Sequence, residues 1–353
     1  MPLLEDRNHA TAIHSGACTA SRTALTLHMS ALGEAVFALP LLHALKNADP
    51  PWRTVCVVGQ AGIEILGASG LADVVILRRP GAGGFIRLLS SVRRARPGIC
   101  LALSASASNC ILARLSGARR RVGYRHAAIA SFLETVPFEG GGVENYLSLL
   151  APLGIARTVV SYCGLLHVPD GTQRQADSIL AAEGIDPLRP FIAVSPISTG
   201  KLGVKAYPIE SWRAVCDGLR EIGWPLVLVG SSDDSDVHRQ MLSDGGTKAA
   251  SLAGKTTPLV LAGALRRAAC AVGVDTGPIH VAAAVGTRCV TLFGPSDPAR
   301  TAPCGGGHIN LSAGLDCQPC LAAPCEHNGA CMRMIEPAAV VNAVRTVLSE
   351  QGT

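Results

Sequence analysis

Short apolar runs rich in β-branched residues alternate with helix-length segments along this chain, and this alternation limits its fold more than any other feature. Four such runs precede a polar stretch near residue 170, and four follow it. The runs are residues 24–29, 54–58, 74–77, 99–103, 191–194, 226–229, 269–274 and 289–293. Strands that alternate with helices form parallel sheets, so the sequence predicts an α/β protein with two Rossmann-like, doubly wound units.

The turn-forming stretch Pro169-Asp170-Gly171-Thr172 separates the two units. A chain of 353 residues is long enough for two cores. We therefore expect a flexible N-terminal extension, two domains and an amphipathic closing helix that packs back on the first domain. Their predicted ranges are 1–22, 23–170, 171–334 and 335–353. Doubly wound sheets bind ligands at the carboxyl ends of their strands, which predicts a site in the cleft between the domains.

Composition narrows the functional classes. The chain is 48% hydrophobic and 16% charged, and it contains no apolar run of the roughly 20 residues that a membrane-spanning helix needs. The first 22 residues lack the apolar segment of a secretory signal, so we expect a cytoplasmic protein. A net charge of +5 and 4% aromatic residues argue against a nucleic-acid partner and favour an anionic small substrate or a membrane surface.

The stretch Asp275-Thr276-Gly277-Pro278 follows the predicted strand at 269–274 and starts a short helix. The N-terminus of a helix attracts anions, so a phosphate or diphosphate is the expected ligand. His280 lies in the first turn and is expected to donate a hydrogen bond to that anion. Asp275 is expected to cap the helix or to hold a hydroxyl group. The alternative is that Asp275 and Thr276 only cap a structural helix.

A second polar loop follows the next predicted strand, at 289–293. It contains Gly294, Ser296 and Asp297. Because neighbouring parallel strands end at the same edge of a sheet, the two loops together describe a binding site.

Residues 275–300, DTGPIHVAAAVGTRCVTLFGPSDPAR, closely resemble the signature of glycosyltransferase family 9, the bacterial heptosyltransferases. The resemblance extends over most of the chain from about residue 23. It implies a GT-B fold, in which two Rossmann-like domains face a central cleft and the C-terminal domain binds the nucleotide-sugar. It also implies inverting, metal-independent transfer of heptose from ADP-heptose to a lipopolysaccharide core acceptor.

Glu34 follows the predicted first strand, directly after Ser30-Ala31-Leu32-Gly33. The family has an aspartate at this place, and its carboxylate takes the proton of the acceptor hydroxyl. The resemblance therefore implies that Glu34 is the catalytic base. The alternative is an acidic residue that is favoured in a first helical turn by the helix dipole.

Several further donor-binding residues are expected at the carboxyl edge of the second sheet. Hydroxyls and ammonium groups after the strand at 191–194 can bind diphosphate oxygens: Ser198, Thr199, Lys201 and Lys205. Lys205 resembles the family's basic residue, Lys201 is the competing candidate, and either can be a solvated surface residue. Gly230, Ser231 and Thr256 match family segments that flank the nucleoside, although Thr256 or Thr257 is also an ordinary helix cap.

Arginines concentrate in residues 114–125, where a helix is expected to end and run into a strand. In this family the N-terminal domain receives an anionic glycolipid, so one or two of these arginines are expected to dock it, with Arg114, Arg120 and Arg121 as candidates. A solvated surface is the alternative. A lipid-linked acceptor also implies peripheral contact with the inner membrane.

Thirteen cysteines occur in the chain, and four of them cluster near its C-terminus: Cys317, Cys320, Cys325 and Cys331. Four thiolates can form a structural zinc or iron site, in which His327 can replace one thiol. Reduced thiols without a metal are the alternative, and the family's catalysis requires no cofactor.

Other functions remain open at this point. One alternative is an enzyme of the same fold that transfers heptose or another sugar to a protein or another glycan. A second alternative is a catalytically inactive nucleotide-sugar-binding protein, which is suggested by Glu34 in place of the family's aspartate. An oxidoreductase is disfavoured because no G-x-G-x-x-G follows the first predicted strand.

Overall fold

The structure, a computed structural model, describes most of the chain. The described residues are 22–28, 31–126, 129–138, 142–196, 205–242, 249–320 and 325–350. The extension predicted at 1–22 lies outside them, apart from Arg22.

The first sheet has six parallel strands. They are β1 (Thr23–Leu27), β2 (Arg53–Val58), β3 (Val74–Leu77), β4 (Ile99–Ala102), β5 (Arg120–Tyr124) and β6 (Glu134–Val136), in the spatial order β3-β2-β1-β4-β5-β6. The helices of this half are α1 (Leu32–Phe37), α2 (Leu39–Lys46), α3 (Gln60–Ala68), α4 (Ala82–Arg94), α5 (Ala107–Leu115) and α6 (Gly142–Ser148). The order reverses at β1, which places the end of β1 at the switch point where such sheets bind ligands.

The second sheet is also parallel and six-stranded. Helix α7 (Asp170–Ala182) precedes it, and its strands are β7 (Ile192–Ser195), β8 (Leu226–Leu228), β9 (Ala249–Ser251), β10 (Cys270–Val274), β11 (Cys289–Phe293) and β12 (Ile309–Ser312). The spatial order is β12-β11-β10-β7-β8-β9. The remaining helices are α8 (Ile209–Arg220), α9 (Ser235–Met241), α10 (Pro258–Arg267), α11 (Gly277–Ala284), α12 (Pro298–Thr301), α13 (Ala330–Arg333) and α14 (Pro337–Ser349).

These two sheets confirm the predicted α/β architecture. All eight predicted strands are present within one or two residues of their expected bounds. Their runs are continuous because both faces of a parallel sheet are covered, as the fully buried β1 and β10 show. We place the boundary between the domains near residue 170, because α7 begins at Asp170 and packs against α10 of the second domain.

The two domains are in close contact. One hydrophobic cluster joins residues of α1, α2 and α3 to residues of α7, α10 and α11. Within it, α1 packs against α11 and α3 packs against α10. The contact between α1 and α11 places the helix after β1 against the helix after β10.

Helix α14 departs from its expected position. Val340 and Val344 lie in a cluster with Trp212 and Val215 of α8, and α14 also contacts β10 and β11. This packing corrects the expectation that the closing helix returns to the first domain, because the apolar face of α14 is covered by the second domain.

Candidate functional site

Two helix N-termini meet at the cleft, and two glycines permit their close approach. A Cβ atom added at Gly277, the first residue of α11, would lie 3.0 Å from Cβ of Leu32, the first residue of α1. A Cβ atom added at Gly33 would lie 3.2 Å from the His280 ring. Side chains on the first turns of both helices therefore share one small volume.

Glu34 lies in the first turn of α1 and is half-buried in this volume. Its carboxylate accepts a hydrogen bond from the hydroxyl of Tyr146 on α6. Burial raises the pKa of Glu34, and this effect exceeds the opposing influence of the Tyr146 hydrogen bond and of nearby His280 and Lys205. A carboxylate with a raised pKa is a stronger base, which suits proton abstraction.

Asp275 lies across the cleft from Glu34, at the end of β10. Its carboxylate accepts hydrogen bonds from Nζ of Lys205 at 2.7 Å and from Nε2 of His280 at 3.1 Å. Burial alone favours the protonated form, but His280 and Lys205 outweigh it, so the pKa of Asp275 lies well below its ordinary value. Asp275 is therefore an ionised anchor for Lys205 and His280. It is not the helix cap that the sequence suggested.

His280 uses both of its ring nitrogens within the protein. Nε2 pairs with Asp275, and Nδ1 lies 2.9 Å from the hydroxyl of Tyr162 in the segment between the domains. The ring is buried and lies edge-on to Phe37 of α1, with 4.5 Å between the centroids. The expectation that His280 donates to a bound anion is therefore corrected, because both nitrogens already have partners.

Thr276 stands at the start of α11. Its hydroxyl donates to the Val274 carbonyl at 3.1 Å and lies 3.5 Å from the hydroxyl of Ser195 at the end of β7. No hydrogen bond from its side chain caps the helix. Thr276, Gly277 and Lys205 therefore lie together at the carboxyl edge of the second sheet, where Lys205 contacts Asp275.

The loop after β8 is built by internal contacts. The backbone N–H of Ser231 donates to Asp234 Oδ2 at 2.6 Å, and its hydroxyl donates to the same atom at 3.0 Å. A Cβ atom at Gly230 would lie 2.5 Å from that carboxylate oxygen. Both residues therefore shape the loop. After β9, Thr257 caps α10 by accepting from Val260 N–H, which leaves Thr256 as the half-buried residue beside the cap.

The loop after β11 contains a glycine that permits close packing and two residues with polar side chains. A Cβ atom at Gly294 would lie 2.4 Å from Sδ of Met332, so Gly294 makes room for that side chain. The Ser296 hydroxyl is buried and has no hydrogen-bond partner among the described residues. Asp297 caps α12 by accepting from Ala299 N–H at 2.9 Å, and it pairs with Arg300.

A cavity of about 430 Å³ opens between α6 and α12. Its lining includes Glu144 and Asn145 of α6 and Asp297 of the loop after β11. At its side, the Thr301 hydroxyl of α12 lies 3.4 Å from Asp275 Oδ2. Glu34, Lys205, Asp275 and His280 are not among the residues that line this cavity.

Three predicted donor-binding residues lie outside the described residues. They are Ser198, Thr199 and Lys201. Of that loop, the structure describes Lys205, the candidate that contacts Asp275.

The three arginines proposed for acceptor docking lie at the opposite edge of the first sheet. Arg120 begins β5 and pairs with Glu134 at 2.7 Å, and Arg121 donates to carbonyls of Phe132 and Ala118. Arg114 is exposed in the last turn of α5. This arrangement corrects the expectation, because strand β5 and helix α5 both place these residues at the end that faces away from the cleft.

Another basic group occupies the carboxyl edge of the first sheet. Arg78 directly follows β3 and donates to the hydroxyl of Ser108 at 3.3 Å and to the side-chain oxygen of Asn109. His28 follows β1, and burial with the charge of Arg78 lowers its pKa to about 3. Sequence reasoning missed Arg78, although its place after a predicted strand at 74–77 was an available signal.

The cysteine cluster lies behind the loop after β11. Cys331 is buried, which raises its pKa, and Cys325 accepts from the backbone N–H of Gly329 through its sulfur at 3.3 Å. Among the described residues, which omit 321–324, no group of three or more His, Cys, Asp or Glu side chains is placed to hold a metal ion. The described part of the chain also has no helix long and apolar enough to span a bilayer.

Comparisons with known proteins bear on the family and the fold of this chain. The family model described as glycosyltransferase family 9 (heptosyltransferase) matches residues 86–330. Lipopolysaccharide heptosyltransferase 3 of Escherichia coli is 27% identical over 303 residues, which cover 80% of this chain and 86% of that protein.

Solved structures share the fold. The glycosyl transferase family 9 protein from Veillonella parvula has a TM-score of 0.81 at 20% identity, covering 95% of this chain and 100% of that one. The E. coli ADP-heptose lps heptosyltransferase II has a TM-score of 0.78 at 20% identity, covering 94% and 100%.

Proposed function

The chain belongs to glycosyltransferase family 9, with the GT-B fold of two Rossmann-like domains, and from this membership we propose that it transfers heptose from ADP-heptose to a lipopolysaccharide core acceptor. A relative that is 27% identical carries the name lipopolysaccharide heptosyltransferase 3, which supports the sugar and the acceptor class. The name of E. coli heptosyltransferase II includes ADP-heptose, which supports the donor.

The donor is proposed to bind at the carboxyl edge of the second sheet. Its diphosphate meets the N-terminus of α11, the Thr276 hydroxyl and the Lys205 ammonium group. The nucleoside lies toward Gly230, Ser231 and Thr256, while Ser296 and Asp297 border the sugar. Asp275 holds the Lys205 ammonium group in place through an ion pair of 2.7 Å.

Glu34 is the proposed catalytic base. The acceptor hydroxyl gives its proton to Glu34 while its oxygen attacks the anomeric carbon. The bond from that carbon to the diphosphate breaks, and ADP leaves with the electron pair. Glu34 is the one carboxylate of α1, on the side opposite the proposed diphosphate site, and this placement favours one direct displacement, which inverts the anomeric configuration.

The negative charge of the leaving diphosphate is proposed to be offset by Lys205 and the α11 dipole, so that transfer requires no metal. Full activity in the presence of EDTA would agree with this proposal. Loss of activity on chelation, with recovery on adding a divalent cation, would contradict it.

Tyr146 is the proposed positioning residue for the base. Its hydroxyl donates to Glu34, and the side chain is buried, so the hydrogen bond fixes the direction of the carboxylate. A glutamate is one methylene longer than the aspartate of the family, and Tyr146 supplies a fixed point for this longer side chain.

The acceptor is proposed to dock on the first domain, with Arg78 as the arginine that meets its anionic groups. Arg78 lies at the carboxyl edge, whereas Arg114, Arg120 and Arg121 face the other way. A lipid-linked acceptor brings the enzyme to the cytoplasmic face of the inner membrane, as a peripheral protein.

The observation that carries the proposal is that Glu34 of the first domain shares one cleft with the Lys205, Asp275 and His280 cluster of the second. Calorimetric titration with ADP, UDP and GDP tests the donor without any choice of acceptor. Preference for ADP supports the proposal, and preference for UDP or GDP would overturn the choice of donor.

Assays of sugar transfer to different acceptors distinguish the proposed function from two alternatives. Transfer to a protein or another glycan, but not to a lipopolysaccharide core acceptor, would replace the acceptor class. Nucleotide binding without transfer to any acceptor would indicate an inactive nucleotide-sugar-binding protein.

A further inference from the structure

One segment of the first domain contains arginines and no acidic residue at all. Between Asp73 and Glu134 the sequence has 11 arginines, no lysine and neither aspartate nor glutamate. Since the whole chain has a formal charge of +5, the residues outside this segment carry a net charge of −6. The net positive charge of the protein therefore comes from this one segment of the first domain.

Helices α4 and α5 of this segment cover one face of the first sheet. Leu88 and Val92 of α4 and Leu112 of α5 pack in a cluster with Leu25 and Val55 of the sheet. The helices that contact the second domain, α1 and α3, pack in a different cluster, against the opposite face of the same strands. Helices α4 and α5 therefore form the outer surface of the first domain, away from the second domain.

The exposed side of these two helices is basic and includes exposed apolar residues. We call it the outer arginine face and define it by five arginines and two isoleucines: Arg87, Arg93, Arg94, Arg96, Arg114, Ile86 and Ile111. Ile86 is 67% exposed and Ile111 is 39% exposed. Nε of Arg93 donates to the Leu115 carbonyl at 2.8 Å, which links the two helices.

These arginines have no acidic partner in the part of the chain that the structure describes. Among the ion pairs of the residues that the structure describes, none includes an arginine of the outer arginine face. Three exposed arginines of the second domain differ in this respect, since Arg239 pairs with Asp236, Arg300 with Asp297 and Arg345 with Glu221. An unneutralised basic surface attracts anionic partners.

We propose that the outer arginine face docks the protein on an anionic phospholipid surface. Arginines next to exposed isoleucines suit a bilayer, because the guanidinium groups pair with lipid phosphates while the apolar side chains enter the headgroup region. A nucleic acid has no apolar region that Ile86 and Ile111 could enter, and the outer arginine face lacks exposed aromatic side chains that could stack on bases. The choice of a lipid rests on the proposed function, whose acceptor is lipid-linked.

Co-sedimentation with vesicles tests the proposal on the full chain. The probes are vesicles of phosphatidylglycerol and phosphatidylcholine in equal parts, and vesicles of phosphatidylcholine alone. The wild type is expected to bind the anionic vesicles and to be released as the salt concentration rises. Equal binding to both kinds of vesicle, or binding to neither, would overturn the proposal.

The variant Arg87→Glu/Arg94→Glu/Arg114→Glu reverses the charge at three exposed positions of the outer arginine face. It is expected to lower the partition coefficient on anionic vesicles by about tenfold or more. The control Arg174→Glu/Arg239→Glu/Arg345→Glu makes the same change in charge on the second domain. An equal loss of vesicle binding in both variants would show that binding depends only on net charge, and it would overturn the proposal. Tighter binding of the wild type to duplex DNA than to anionic vesicles, at the same salt concentration, would also overturn it.

Two further measurements separate this proposal from the proposed function. The outer-face variant is expected to retain its melting temperature and its affinity for ADP, because none of its three residues lies in the cleft. If the wild type bound anionic vesicles selectively but preferred UDP or GDP to ADP, the docking proposal would still hold and only the choice of donor would be wrong. A substitution Ile86→Asp that left vesicle binding unchanged would contradict the role of the apolar residues.

Discussion

Gly277 lies so close to Leu32 that a methyl group at Gly277 would approach the Leu32 Cβ atom to 3.0 Å and the Gly33 nitrogen to 3.3 Å. The two residues begin helices of different domains, and the catalytic base proposed for the enzyme follows Gly33 directly. The absence of a side chain at Gly277 therefore determines how close Glu34 lies to the donor edge.

The substitution Gly277→Ala is expected to force α1 away from α11. Overpacking of this kind costs about 1–3 kcal/mol in the free energy of unfolding. A shift of about 1 Å in the position of Glu34 would also lower the transfer rate by roughly 100-fold. Urea unfolding and the transfer rate measure the two effects.

Gly67 provides the matched control. It is exposed in α3, and a Cβ atom there meets nothing within 4 Å. Gly67→Ala is expected to increase stability by about 0.5–1 kcal/mol through helix propensity and to leave the transfer rate unchanged. Equal changes in stability and in transfer rate for Gly277→Ala and Gly67→Ala would show that the close approach of α1 and α11 affects neither property.

The substitution Asp275→Asn is expected to change how stability depends on pH. The pKa of Asp275 is depressed in the folded state, so ionised Asp275 stabilises the protein above its unfolded pKa of about 4, and this stabilisation is lost as the pH falls below that value. The variant should be less stable by roughly 3 kcal/mol at neutral pH, because buried Lys205 loses its partner, and the difference should narrow toward about pH 2.

Urea unfolding at several pH values measures this difference. The control is Asp236→Asn, which removes a carboxylate whose side chain is 78% exposed and is expected to have little effect at any pH. A destabilisation by Asp275→Asn that stayed constant from neutral to acidic pH would mean that its carboxylate is not the stabilising group.

The substitution Lys205→Met is expected to weaken ADP binding and to slow transfer. Removing one group that stabilises the charge on a leaving group costs about 100- to 1,000-fold in rate. Calorimetry with ADP and steady-state kinetics measure both effects. Lys46→Met serves as the control, since Lys46 lies in the first domain and also forms an ion pair, with Asp73. Equal effects of the two variants would argue against a role for Lys205.

Prediction from the sequence was most accurate for strands that consist of a continuous apolar run. The predicted runs at 74–77 and 289–293 match β3 and β11 because buried parallel strands are continuously apolar. Strands β6, β9 and β12 were missed, since each has only three or four residues and lies at the edge of its sheet. Such short segments that include polar or small residues carry little strand signal.

The site was predicted only in part, because its contacts cross the domain boundary. The turn at Asp275 and Lys205 was identified from local pattern, but Tyr146 and Tyr162 reach the site from segments without any motif. His280 was assigned to the ligand because the sequence does not reveal that a second domain covers its ring. Arg120 was misplaced although its position at the start of a strand indicates the amino edge.

The substitution Tyr146→Phe is expected to move the pH profile of transfer. The Tyr146 hydroxyl donates to the ionised form of Glu34, so its removal should raise the pKa of Glu34 further. Since the base acts when ionised, the acidic limb of the kcat/KM profile should shift to higher pH, with activity recovering at alkaline pH.

Tyr207→Phe is the control for this experiment. It removes another buried hydroxyl, which donates to the Ile335 carbonyl in the second domain, and should leave the limb in place. A lower rate in Tyr146→Phe with an unmoved acidic limb would indicate that Tyr146 acts only through packing.

The most direct test of the account is the single-turnover rate of heptose transfer from ADP-heptose by the wild type and by Glu34→Gln. The amide cannot accept the proton, so we predict a loss of about 100- to 10,000-fold in rate with unchanged affinity for ADP. Glu210→Gln, which changes a first-turn acid of α8, should transfer at the wild-type rate. Transfer by Glu34→Gln at the wild-type rate would contradict the assignment of Glu34 as the base.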